Sequence, residues 1–154
     1  MSNDIPKHLS PPETFEIWLA DMDDAIAHFA ANLPASTREA LDFSPSSLDS
    51  LEAWLLQRYR NTDAMLSPQE SLWLDGAARY IGETFRKAIG GRWEIRLDDP
   101  SYAFHGIPQL TGFWDKSSPV APLTLATASA DRRSGRYISG VLAGYLRQRQ
   151  RKLG

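Results

Sequence analysis

Residues 67–97 read SPQESLWLDGAARYIGETFRKAIGGRWEIRL, and this stretch decides the fold. Ser67-Pro68-Gln69-Glu70 supplies a capping hydroxyl, a proline suited to a first helical turn and a carboxylate at the positive end of a helix. Leu74, Ala77, Ile81, Phe85, Ala88 and Ile89 then recur at spacings of one helical face. Gly90-Gly91 ends the run, because glycine enters positive φ at little cost. After it the period falls to two. Trp93, Ile95 and Leu97 alternate with Arg92, Glu94 and Arg96, as in a half-buried strand. Within the helix, Glu83 lies one turn from both Arg79 and Arg86, which predicts an internal ion pair, and Gly82 beside it permits close approach.

Toward the N-terminus the same start signal appears earlier. Ser10-Pro11-Pro12-Glu13 opens a helix whose apolar face is Phe15, Trp18, Leu19, Met22, Ile26, Phe29 and Leu33, with Pro34 as its stop. Ser36-Thr37-Arg38-Glu39 caps one short turn. Ser44-Pro45 opens another helix along Leu48, Leu51, Trp54, Leu55 and Tyr59. Toward the C-terminus, Asp98-Asp99-Pro100 marks a turn, Tyr102 and Phe104 a second strand, and Leu123, Leu125 and Thr127 a third. Trp114 to Pro122 reads as a loop. Ile138, Val141, Leu142 and Tyr145 restore helical spacing in a last helix beginning near Ser134. The expectation is one α+β domain over residues 1–154, with 1–9 as a tail. An N-terminal helical layer packs on a small antiparallel three-stranded sheet, and a C-terminal helix closes the chain.

Composition narrows the class. The chain has 154 residues, 42% hydrophobic and 23% charged, with no cysteine. That excludes disulfides, thiolate nucleophiles and cysteine-ligated metals, and it fits a soluble globular domain. No apolar run is long enough for a transmembrane helix, so no membrane partner is expected. MSNDIPKHLS lacks the basic and apolar regions of a signal peptide, which points to the cytoplasm.

Charge is divided unevenly. Residues 1–66 carry eleven Asp and Glu against four Lys and Arg, whereas residues 67–154 carry eight against thirteen. The N-terminal helices should therefore present an acidic surface and the C-terminal end a basic one. These are two solvated faces that attract each other weakly or, on the acidic side, a surface for a basic partner. Asp21 and Asp24 stand for the acidic surface. From Arg132 to Lys152 there are seven cations and no acid. Tyr137 and Tyr145 belong to the apolar stripe there instead of interleaving with the arginines, so nucleic-acid binding is not expected.

Catalytic signals are sparse. His8, His28 and His105 are scattered. Asp24 with His28 could begin a zinc site but reads more simply as an exposed pair one turn apart. Asp21, Asp23 and Asp24 lack the glycine and terminal glutamate of a calcium loop, so neither metal nor cofactor is expected. Asp98, Asp99, Tyr102 and His105 could form an acid–base group, but turns collect aspartates for backbone reasons. Asp131-Arg132-Arg133-Ser134-Gly135-Arg136 precedes a helix and could hold an anion. Its plainer reading is a polar turn in which Asp131 pairs with Arg132 or Arg136 and Ser134 caps the helix.

Ala78-Arg79-Tyr80-Ile81-Gly82-Glu83-Thr84-Phe85-Arg86, followed by Gly90-Gly91-Arg92-Trp93, resembles a group of small bacterial domains. In those a Tyr-x-Gly-Glu helix leads through Gly-Gly-x-Trp into a strand. A strand like Pro122-Leu123 follows later, and the run Ser47 to Glu52 extends the likeness. The resemblance implies an immunity protein that neutralises a toxin by direct binding and brings no catalytic residues. Its partner surface would then involve Asp21 and Asp24, or Asp131, Arg132, Arg133 and Arg136. The competing reading is a small enzyme or ligand-binding domain using His105 and the Arg132–Arg136 turn. Apolar surface on the first helix would equally serve a homodimer.

Overall fold

The computed structural model describes residues 10–114 and 117–153, with side chains to Arg151. The expected tail, with His8, lies outside the described residues, as does the Lys152 side chain. Eight α-helices and one two-stranded sheet are present among them. The helices are α1 (Pro11–Ala20), α2 (Met22–Ala31), α3 (Ala35–Ala40), α4 (Ser47–Arg58), α5 (Thr62–Met65), α6 (Ser71–Ile89), α7 (Pro122–Arg132) and α8 (Tyr137–Leu153). The strands β1 (Arg92–Glu94) and β2 (Gln109–Thr111) pair antiparallel, with Trp93 opposite Leu110.

The 19-residue α6 is the centre. Leu74, Ala77, Ile81, Phe85 and Ile89 are buried as their spacing predicts, and so are Tyr80 and Thr84 on its other side. Burial this far round the cylinder requires partners on several faces: α2, α4, α7 and α8 all pack on it. Two glycines set the close approaches. A β-carbon on Gly76 would overlap the Phe29 ring of α2, and one on Gly82 would overlap the Trp93 indole. Gly90, at φ 83°, ends α6 and donates its N–H to the Arg86 carbonyl.

At α1 the capping box is complete: Ser10 accepts from the Glu13 amide and Glu13 from the Ser10 amide. The long first helix of the sequence reading is interrupted at Asp21, where φ −89° and ψ 5° leave the helical basin. Its N–H returns to the Ile17 carbonyl and its carbonyl starts α2. The apolar stripe survives the break, with Phe15, Met22, Ile26, Phe29 and Leu33 all buried. Ser67-Pro68 opens a 3-10 turn (Pro68–Glu70), and α6 follows it directly. Between α3 and α4, Phe43 holds φ 64°, an unusual value for an aromatic residue. Its N–H donates to the Tyr80 hydroxyl at 2.9 Å, and that hydroxyl lies 2.6 Å from Ser47 Oγ, so α6 anchors the loop.

The sheet is smaller than expected. Tyr102–Phe104 is a run of turns, because the amides of Tyr102, His105 and Ile107 are satisfied by carbonyls three residues earlier. The second strand forms instead at Gln109–Thr111. Beyond Glu94 the first strand keeps only an isolated bridge between Arg96 and His105. No third strand forms at Leu123, Leu125 and Thr127, which lie within α7. Pro122 at its start needs no donor there, and Ala126, Ala128 and Ala130 favour helix. The third-strand position beside β2 is reduced to one bridge between Leu110 and Val120.

Candidate functional site

The DRRSGR turn is built into the fold. Arg133 occupies the left-handed region at φ 54° and ends α7. From there its guanidinium donates to the carbonyls of Tyr59 (2.9 Å), Arg60 (3.0 Å), Leu56 (2.9 Å) and Ala130 (3.3 Å). The carbonyls of Leu56, Tyr59 and Arg60 lie at the end of α4, where a cation is stabilised by the negative pole, and that of Ala130 lies in the last turn of α7. Arg132 instead lies over the Tyr137 ring, 4.8 Å from its centroid. Asp131 and Arg136 are exposed, and neither has an ion-pair partner among the described residues. Ser134 Oγ accepts only from the Arg136 amide at 3.2 Å, so it does not cap the last helix.

That cap comes from Glu52, whose role the sequence reading missed. Its carboxylate accepts the Ile138 amide at 2.9 Å and the Tyr137 amide at 3.2 Å, while Asp49 accepts the Ser139 hydroxyl at 2.6 Å. Glu52 is fully buried. The available signal was its position on the Leu48–Leu55 stripe, where an acid demands a donor.

Arg133→Ala should cost about 2 kcal/mol, because several carbonyls lose a charged donor. Arg133→Gly should be about 1 kcal/mol less damaging, since glycine accepts the left-handed φ. Urea midpoints at constant m would show this order. Equal midpoints for the two variants and the parent would refute the capping role.

The His105 constellation does not assemble an acid–base group. His105 Nε2 sits 3.4 Å from the Leu97 carbonyl, and the Tyr102 hydroxyl donates to Gln109 at 2.7 Å. Asp98 pairs with Arg96 at 3.0 Å, and that hydrogen bond holds its carboxyl below the usual range. Asp99 accepts the Ser101 hydroxyl and amide, which lowers it likewise. No hydrogen bond or ion pair joins His105 to the arginine turn among the described residues. Asp24 and His28 are both exposed, and no group of three His, Asp or Glu among the described residues could hold a metal.

On α6 the expected Glu83–Arg86 pair is present at 3.0 Å, but Arg79 does not join it. Side chains lean toward a helix N-terminus, so Arg79 reaches back to Asp75 at 2.7 Å. Arg79 also donates to the Trp18 carbonyl at 2.9 Å and stacks on the Trp18 ring at 4.3 Å. The Trp18 indole donates to Asp75 at 2.8 Å, and the Trp93 indole donates to Glu83 at 2.8 Å. The two indoles meet edge to face, 4.9 Å apart. They border a groove of about 630 Å³ between α1, α6 and the residues after β1, with Phe15, Leu74 and Leu123 among its walls.

A second cluster joins α4 to the start of α6. Arg58 lies over Trp73 at 4.7 Å and pairs with Glu70 at 2.7 Å, and the Tyr59 hydroxyl donates to the same carboxylate at 2.6 Å. Burial pushes the Tyr59 phenol up to about 12, and the hydrogen bond to Glu70 adds to the shift. An unfolded tyrosine ionises near ~10. The folded value is the higher one, so this stabilisation is complete below pH ~10 and is lost as pH rises through about 12. Tyr59→Phe should therefore flatten the alkaline loss of stability over that window. An unchanged alkaline slope in circular-dichroism melts would contradict it.

Compared with known proteins, the chain matches no family model, no curated protein and no solved structure. No helix among the described residues is long and apolar enough to cross a membrane.

Proposed function

We propose that this chain is a cytoplasmic, non-catalytic binding domain of the immunity-protein kind, whose acidic α1–α2 face docks onto a basic bacterial toxin. One observation carries the reading. Glu13, Glu16, Asp21, Asp23 and Asp24 are all exposed, and none has an ion-pair partner among the described residues. Unneutralised charge of one sign on a rigid helical pair is suited to steering a partner of opposite charge. The alternative surface is less free, because Arg133 is committed to the end of α4. Arg132 and Arg136 remain exposed at its edge and would serve a secondary contact.

The test is gel filtration of the purified chain with the toxin encoded beside it, followed by association kinetics. Asp21→Lys combined with Asp24→Lys should slow association by about tenfold at low salt, with the difference shrinking as salt rises. Absence of a complex, or equal rates for parent and double variant, would remove the proposal.

A further inference from the structure

We infer that the groove between α1 and α6 binds a small uncharged amphiphile, an aliphatic or aromatic body with a hydroxyl head. The site is independent of the acidic face. Pro11, Thr14, Phe15 and Trp18 turn one side of α1 into the groove, and Glu13 and Glu16 lie on the other side by helical spacing.

Size and rigidity come first. About 630 Å³ falls within the roughly 300–1,000 Å³ span of small-molecule sites. The Trp18 and Trp93 walls are each fixed by an indole hydrogen bond, to Asp75 and Glu83 respectively. A pre-formed wall lowers the ordering cost of binding.

Head-group chemistry follows from the few polar groups on the lining. These are Thr14, Ser71 and Asp75, and Asp75 is the only ionisable side chain among the described residues that line the groove. Neither the Thr14 nor the Ser71 hydroxyl has a hydrogen-bond partner among the described residues, so both can serve a ligand. The Asp75 carboxylate is already paired with Arg79, whose side chain is only 5% exposed. The pair is neutral as a whole, so a charged head of either sign gains little from it and still gives up its hydration on entering an apolar groove. An anionic head would meet the carboxylate directly, with Arg79 behind it and turned toward Trp18. A neutral hydroxyl suffers neither disadvantage. It can donate to Asp75 and accept from Thr14 or Ser71.

Calorimetric titration of the full chain with decanol, octanol and decanoate tests the assignment. Decanol should bind one to one, octanol about tenfold more weakly for the two methylenes it lacks, and decanoate at least about tenfold more weakly for its charge. Leu123→Trp, at a half-buried wall position, should abolish decanol binding while keeping the melting transition. Asp75→Asn should reverse the head preference toward decanoate, because Arg79 is left without its carboxylate. If that variant does not fold, Thr14→Val should still weaken decanol by about fivefold. The inference fails if decanol gives no saturable heat, if decanoate binds as tightly, or if folded Leu123→Trp still binds. Concentration-dependent self-association abolished by Leu123→Trp would place a second copy in the groove and overturn it too.

Discussion

Glu52→Ala should lower the free energy of unfolding by about 3 kcal/mol, a large share of the stability of a domain this size. Glu52 is fully buried and accepts the first two amides of the 17-residue α8. Without it those amides are orphaned next to Ile138, itself fully buried, where water cannot replace the acceptor. A negative charge at the positive pole is lost with them, and a cavity is left. The carboxylate has no cationic partner among the described residues, so the amides and the helix dipole compensate for its burial. Glu52→Gln keeps the shape and one acceptor oxygen, and should cost about 1–2 kcal/mol. Urea unfolding would read the order parent, glutamine, alanine, and hydrogen exchange should show α8 opening first. A glutamine variant as stable as the parent would refute the charge argument. An alanine variant within about 0.5 kcal/mol of the parent would refute the cap itself.

Gly82→Ala should destabilise by about 2 kcal/mol, against the direction that helix propensity alone dictates. Alanine in a helix interior is worth about 1 kcal/mol more than glycine. Here, however, the new methyl would occupy the space of the Trp93 indole, with Pro122 close behind. The indole would have to leave its hydrogen bond to Glu83 and its edge contact with Trp18. Overpacking of this kind costs about 1–3 kcal/mol before the lost contacts are added. Trp93→Ala alone should cost about 3 kcal/mol, at the lower end for a tryptophan because the ring is half-buried. In that background the sign should change: Gly82→Ala becomes stabilising by up to about 1 kcal/mol. This reversal is the diagnostic result of a double-mutant cycle. Equal costs in both backgrounds would mean that Gly82 and Trp93 are not coupled.

The same pair shows how far local reading reaches. Gly82, as a glycine inside a helix, signals close approach, and Trp93 reads as the inward side of an alternating strand. Nothing in either pattern says that one rests on the other. The Glu83–Arg86 pair was legible because one helical turn separates them. Arg79 has two acids one turn away, Asp75 and Glu83, and only side-chain direction favours Asp75. Asp131 and Arg132, read as part of a polar turn, instead close α7, and the turn itself runs from Arg133 to Arg136. The destination of Arg133, however, is a helix end more than seventy residues earlier in the chain.

The capped start of α1, the stripe of α6 and its glycine stop were written in the chain itself, because capping, periodicity and positive φ depend on residues within a turn of one another. The character of residues 122–132 was not. Leu123, Leu125 and Thr127 alternate like a strand, while Pro122 and the alanines equally favour helix, and packing on α6 settled that local tie. The Glu52 cap, the Arg133 clamp and the groove beside Trp18 belong to the same second category. Each joins groups far apart in the chain, where no spacing rule operates and only the assembled core brings donor and acceptor together.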